Sequence, residues 1–159
     1  MVENTQDVAT EQLWHKKFAV DLNHLVWSLL EKVDRSSEDD DKMVHAAHAS
    51  HYHWDQVGTA VRTRGEWLIS HAYAVLNRAE AALYHAQRCL DLCQEKNVKD
   101  FDITYGYEAI ARAYALAGHK AEYETYVQLA QEAGEHIQDE EDREIFFGDF
   151  QRGPWYGMR

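Results

Sequence analysis

The sequence predicts an all-α fold, and three observations carry that expectation. Apolar residues recur at three- and four-residue spacing along most of the 159-residue chain, as in Phe18, Leu22, Leu25, Leu29 and Val33. No segment of convincing length alternates with the two-residue period of a strand. One proline and eight glycines leave few interruptions, so the helices should be long.

The first helix is expected over about Thr10–Val33, with Thr10 capping its start and Glu11 near the positive end of the dipole. The run Asp34-Arg-Ser-Ser-Glu-Asp-Asp-Asp41 ends it and suits the N-terminus of the next helix. That run lacks the glycine pivot and alternating ligand order of a calcium loop, so it reads as a solvated turn. A second helix carries Met43, Ala47, Ser50, Trp54 and Val57 on one stripe, with Gly58 or Gly65 marking the turn after it. A third runs to about Leu76 and includes Trp67, Ile69 and Tyr73. Asn77-Arg78 is the following turn, because asparagine tolerates a left-handed backbone. A fourth helix over about Ala79–Glu95 buries Ala82, Ala86, Cys89, Leu90 and Cys93. After the polar connector Gln94–Asp102, a fifth spans about Ile103–Leu116, with Gly118 as its terminal glycine. A sixth covers about Lys120–His136, with Tyr123, Val127 and Ala130 facing inward. An acidic stretch, Asp139–Glu144, leads into a tail rich in aromatic residues.

Composition bounds the function. Hydrophobic residues make up 45% and charged residues 28%, the balance of a soluble globular chain. A chain of this length buries roughly 70% of its unfolded surface as one domain, taken here as 1–159. The net charge of −12 disfavours nucleic acid and anionic membranes as partners, since both select basic surfaces. The opening MVENTQDVATEQ is polar and acidic, unlike a secretory leader, and two cysteines build no disulfide framework. A cytoplasmic location is the expectation.

Two segments superpose: Ile69-Ser-His-Ala-Tyr73-Ala-Val-Leu-Asn77 and Ile110-Ala-Arg-Ala-Tyr114-Ala-Leu-Ala-Gly118. Each sets a small residue after an aliphatic one, an aromatic three further on and a turn residue four beyond. Their turns stand 41 residues apart. Tyr107-x2-Ile110-Ala111-x2-Tyr114 resembles the signature of the tetratricopeptide-repeat family. The earlier unit departs from it, with Glu66 at the aromatic position and Trp67 one step late. Both units lack the closing proline, and the connector Gln94–Asp102 lengthens the usual ~34-residue period. The strings His45-Ala-Ala-His-Ala-Ser50, His53-Trp54 and Arg64-Gly-Glu-Trp67 resemble a group of bacterial helical-repeat proteins of no established activity. The resemblance implies a right-handed α-α superhelix of about three antiparallel helix pairs. These are a degenerate first pair over about 10–58, repeats over about 63–95 and 103–136, and a capping tail over 139–159.

In such folds the concave face usually holds extended peptides. Carried over by the repeat alignment, its exposed inner positions would be Arg64, Trp67, His71 and Val75 in one unit. In the next they would be Tyr105, Glu108, Arg112 and Leu116, and the first helix would add Asn23, His24 and Trp27. Arg64 and Arg112 stand out on an acidic protein, where guanidinium groups would grip partner carboxylates. The competing reading pairs them with local acids such as Glu66 and Glu108 and sinks Trp67 into the core. The expected partner is thus a protein or peptide, with no cofactor. The tail either caps the last helix or docks in its own groove or that of a second copy, the latter giving a homodimer.

Ten histidines are many for this length. His48, His51 and Asp55 share one helical face, the basis of an alternative reading as a zinc or iron site, in a metal carrier or hydrolase. The other reading makes these histidines polar-face or hydrogen-bonded core residues. His85, Cys89 and Cys93 form a second stripe, in which buried thiols behave as small hydrophobes. No nucleophile elbow, glycine-rich phosphate loop or paired metal-binding motif occurs. The expected function is therefore binding without catalysis.

Overall fold

The computed structural model describes residues 5–58 and 62–159. These residues form seven helices and no strand: α1 (Thr5–Glu31), α2 (Ser37–Val57), α3 (Arg62–Val75), α4 (Ala79–Glu95), α5 (Phe101–Ala117), α6 (Lys120–Glu135) and α7 (Glu140–Arg152). None of the described helices is long and apolar enough to cross a membrane.

The acidic run starts α2 as the dipole argument requires. The Ser36 hydroxyl accepts the Asp39 N–H at 3.1 Å, and the Asp39 carboxylate accepts the Ser36 N–H at 3.0 Å, a reciprocal cap. Arg35 reaches back to the last carbonyls of α1, donating to Leu29 O at 3.3 Å and Leu30 O at 3.4 Å, and pairs with Asp40 at 2.9 Å. One side chain thus closes α1 and fixes the entry of α2.

α1 begins at Thr5 rather than Thr10, because nothing in Gln6–Ala9 interrupts a helix. Thr10 lies inside it, its hydroxyl donating back to Gln6 O. Of the expected stripe Leu29 is buried and Leu22 and Leu25 pack against its cluster, while Phe18 and Val33 are exposed and Ala19 and Val26 hold the fully buried positions. α2 comes close over Ala19, whose carbonyl accepts the buried Ser50 hydroxyl at 2.7 Å, and a bulky residue there would hold the helices apart.

Consecutive helices pack together, and α1·α3, α3·α5 and α5·α7 also meet. Among the described residues the backbones of α2 and α4, and of α4 and α6, do not approach each other, although the His48 and His85 rings meet between α2 and α4 at 5.3 Å. The odd-numbered helices therefore lie side by side as one layer, backed by the even-numbered ones.

The two superposable segments end alike. Asn77 (φ 62°) and Gly118 (φ 77°) are both left-handed. Arg78 N–H donates to Tyr73 O at 2.9 Å, and His119 N–H to Tyr114 O at 3.0 Å. Tyr73 stacks on His85 at 5.7 Å, and Tyr114 on Tyr126 at 5.8 Å, at matching positions of the two helix pairs. Ser70 and Ala111 are buried where short side chains were expected, and the Ser70 hydroxyl donates to Ala82 O at 2.7 Å.

The expected tail contains a helix. Asp139 caps α7 by accepting the Asp142 N–H at 3.0 Å, and Glu140, Glu141 and Asp142 fill its first turn. Phe146 and Phe150, one turn apart, are buried with Tyr105, Tyr123, Ala130 and Ile137. Gly134 admits them: a Cβ there would stand 2.5 Å from the Phe146 ring. Beyond α7, Trp155 is buried and donates its indole N–H to Phe150 O at 2.9 Å, and the Arg159 guanidinium lies 4.4 Å over the Phe150 ring. This segment caps the α5–α6 end of the core. It also reaches α3, where the Tyr156 hydroxyl donates to Ala74 O at 3.0 Å.

Candidate functional site

The layer of odd-numbered helices opens into a cleft of about 330 Å³. α1 contributes Asn23 and Trp27, α3 Arg64 and Trp67, α5 Phe101, Asp102 and Tyr105, and α7 Ile145 and Asp149. A second lobe of about 240 Å³ shares Trp27, Trp67 and Asp149 and extends past His71 and Arg112 to Gly153-Pro154.

Its wall is an aromatic stack. Trp67 and His71 lie one turn apart on α3, so their rings stack at 5.2 Å. Trp27 from α1 stacks on Trp67 at 5.9 Å, and Tyr105 meets Trp67 edge-on at 5.4 Å. The Trp67 indole N–H donates to the Glu108 carboxylate at 2.9 Å.

Glu108 and Arg112, expected as exposed groove residues, are buried, at 0% and 3% exposure. They form an ion pair one turn apart on α5, beneath Trp67, with the Arg112 guanidinium 5.8 Å from the Trp67 ring. Burial pushes the Glu108 carboxyl above its usual range, against the Trp67 hydrogen bond, and pushes the Arg112 guanidinium below its own. Arg64 is engaged as well: Nε donates to Asp102 at 2.8 Å, and the guanidinium lies 5.7 Å over Phe101. The expectation of two free guanidinium groups awaiting partner carboxylates is therefore corrected, since each already holds an acid. For Arg112 that acid is Glu108, as the competing reading had it. For Arg64 it is Asp102 rather than Glu66.

Tyr105, also expected to be exposed, is buried and donates its hydroxyl to Asp149 at 2.7 Å. Burial and that carboxylate push the phenol upward. His24 is exposed and lines neither lobe, whereas its neighbour Asn23 lines the larger one. Trp67 is half-buried, serving both core and cleft. Val75 and Leu116 are half-buried and contact other core clusters instead.

The histidines of α2 take separate partners, which goes against the alternative reading of His48, His51 and Asp55 as ligands of one ion. His48 Nε2 meets the Tyr73 hydroxyl at 3.0 Å, His51 pairs with Glu66 at 3.3 Å, and Asp55 pairs with Arg62 at 2.7 Å. Among the described residues no group of three or more His, Cys, Asp or Glu side chains could hold a metal ion. His85 joins Glu66 at 2.7 Å instead of the cysteines, and Cys89 and Cys93 are buried free thiols.

Glu66 therefore sits between two imidazoles that reach it from α2 and α4. Burial alone would raise its carboxyl, but hydrogen bonds from His51 and His85 outweigh burial and hold it at about 2. A lowered carboxyl stabilises the fold above its unfolded value of 4.5 and loses that contribution as pH falls toward 2. Urea unfolding of the parent chain should therefore lose on the order of 2–3 kcal/mol across that window relative to Glu66→Gln. Parallel pH profiles for the two would contradict this.

Gly65 makes the His51–Glu66 contact possible, because a Cβ there would lie 2.1 Å from His51 Nδ1. Alanine in place of a helical glycine ordinarily stabilises by about 1 kcal/mol. Here Gly65→Ala should instead destabilise by roughly 1–3 kcal/mol in thermal or urea unfolding, through overpacking against the half-buried His51 ring.

Sequence reasoning missed Asp102, which it left in a connector, and Ile145 and Asp149, which it left in a tail. The signal for the latter was present: an Asp139 cap before acids, then Ile145 and Asp149 at helical spacing. Comparison with family models, curated proteins and solved structures gives no match for this chain.

Proposed function

We propose that this protein is a non-catalytic helical-repeat module, similar to tetratricopeptide repeats, that binds a peptide or an extended segment of another protein. The segment lies along the face made by α1, α3, α5 and α7, and the helix pairs continue one another as a right-handed superhelix. The repeat reading is supported by the matching turns at Asn77 and Gly118 and by the matching ring stacks behind them.

One observation carries the binding reading: an aromatic-walled cleft assembled from four helices, with Trp27 39% exposed at its wall. Half-exposed indoles in a concave site are the residues that dominate protein interfaces. Burial of one such ring by a partner contributes roughly 1.5–3 kcal/mol.

The test is retention of a random-sequence decapeptide pool on the immobilised full chain, read by mass spectrometry. The parent should enrich a subset of sequences, and Trp27→Ala should reduce that enrichment about tenfold or more. An unselected pool, or enrichment untouched by Trp27→Ala, would contradict the reading.

A further inference from the structure

We infer that the cleft takes a cationic side chain, the lysine or arginine of a basic segment. This rests on the cleft reading above and names the chemistry of its occupant. The larger lobe carries one guanidinium, Arg64, against two carboxylates, Asp102 and Asp149. Arg64 is bound to Asp102, so the remaining charge of the larger lobe is that of Asp149, whose own ion-pair partner, Arg152, lines only the second lobe. Asp149 stands where the two lobes join and is part of both. One of its oxygens accepts the Tyr105 hydroxyl, and the other lies 3.5 Å from Arg152, a guanidinium 78% exposed and screened by water.

Trp27, 39% exposed, lines both lobes with Asp149, and an indole so placed attracts a cation through its quadrupole while covering its aliphatic stem, as Trp67 already does for the Arg112 guanidinium at 5.8 Å. The negative field reaches further, since the Asp142 charge acts on both Arg64 and Tyr105 in the direction that retains their protons. A carboxylate ligand would find no free guanidinium in the larger lobe and would face Asp149. The chain's net charge of −12 draws basic partners toward it.

The experiment titrates the full chain with capped Ala-Ala-X-Ala-Ala peptides, X being Lys, Arg, norleucine or Glu, and follows the indole N–H resonances of Trp27 and Trp67. The Lys and Arg peptides should bind about fivefold or more tightly than norleucine, with Glu weakest. Asp149→Asn keeps an oxygen for the Tyr105 hydroxyl and should bring Lys down to the norleucine affinity. Arg64→Gln frees Asp102 and should tighten Lys binding. The opposite response to Arg64→Gln, or Glu as the preferred residue, overturns the inference. Norleucine binding as tightly as Lys also overturns it, yet leaves the cleft standing as a site for extended segments. n-Butylammonium binding as tightly as the Lys peptide assigns the cleft to free amines and overturns the basic segment as occupant. Silence of both indoles with every peptide removes the inference and the binding reading together.

Discussion

Glu108→Ala should cost about 3–5 kcal/mol of stability, the usual penalty for stripping one partner from a buried ion pair. Two contacts converge on Glu108, which is 0% exposed: Arg112 one turn along α5 and the indole N–H of Trp67 on α3. Removing the carboxylate strands the Arg112 guanidinium, whose Nε has no hydrogen-bond partner even in the parent. It also frees the Trp67 N–H that positions the aromatic wall. The loss thus has two readouts, a lower urea midpoint and a displaced Trp67 resonance. The pair Glu108→Met with Arg112→Met should recover most of the stability, because two apolar chains leave no charge to desolvate. A Glu108→Ala protein as stable as the parent would mean that the pair is open to water.

Phe146→Ala is expected to cost roughly 3–5 kcal/mol as well, here through a cavity. Phe146 is 0% exposed, with ring contacts to Tyr105 at 5.2 Å and Phe150 at 5.4 Å. It is the side chain for which Gly134 leaves space. Phe146→Leu keeps most of the volume and should lose less than about 1.5 kcal/mol. Because α7 also delivers Ile145 and Asp149 to the cleft, Phe146→Ala should weaken peptide retention at temperatures where α1–α6 remain folded. Unaltered melting would show that α7 does not seal the core.

Helix periodicity made most of the architecture readable in advance. α4 falls at the expected residues, and Asn77 and Gly118 end their helices because left-handed backbone there favours asparagine and glycine. α1 was legible at Leu22, Leu25 and Leu29 but misled at Phe18 and Val33. Its bulky residues mark a plausible face, but the tight contact with α2 forms across Ala19, and no pattern of large apolar residues reports where a small one is required. In the cleft, Trp27, Arg64, Trp67, His71 and Tyr105 were legible because they repeat with the helices. Their electrostatic partners were not. Asp102 and Asp149 come from separate helices 38 and 44 residues from Arg64 and Tyr105, so only tertiary packing pairs them. The burial of Glu108 has the same origin: its pairing with Arg112 one turn along α5 was legible, but the Trp67 indole that covers it arrives from α3.

The most direct test follows fluorine resonances of the full chain labelled with 5-fluorotryptophan at its five tryptophans, titrated with peptides selected from the random pool. Trp27 and Trp67 should shift together and saturate with one binding curve, while Trp14 and Trp54 stay in place. Movement of Trp14 or Trp54 with Trp27 and Trp67 unmoved would place the partner away from the odd-numbered helices.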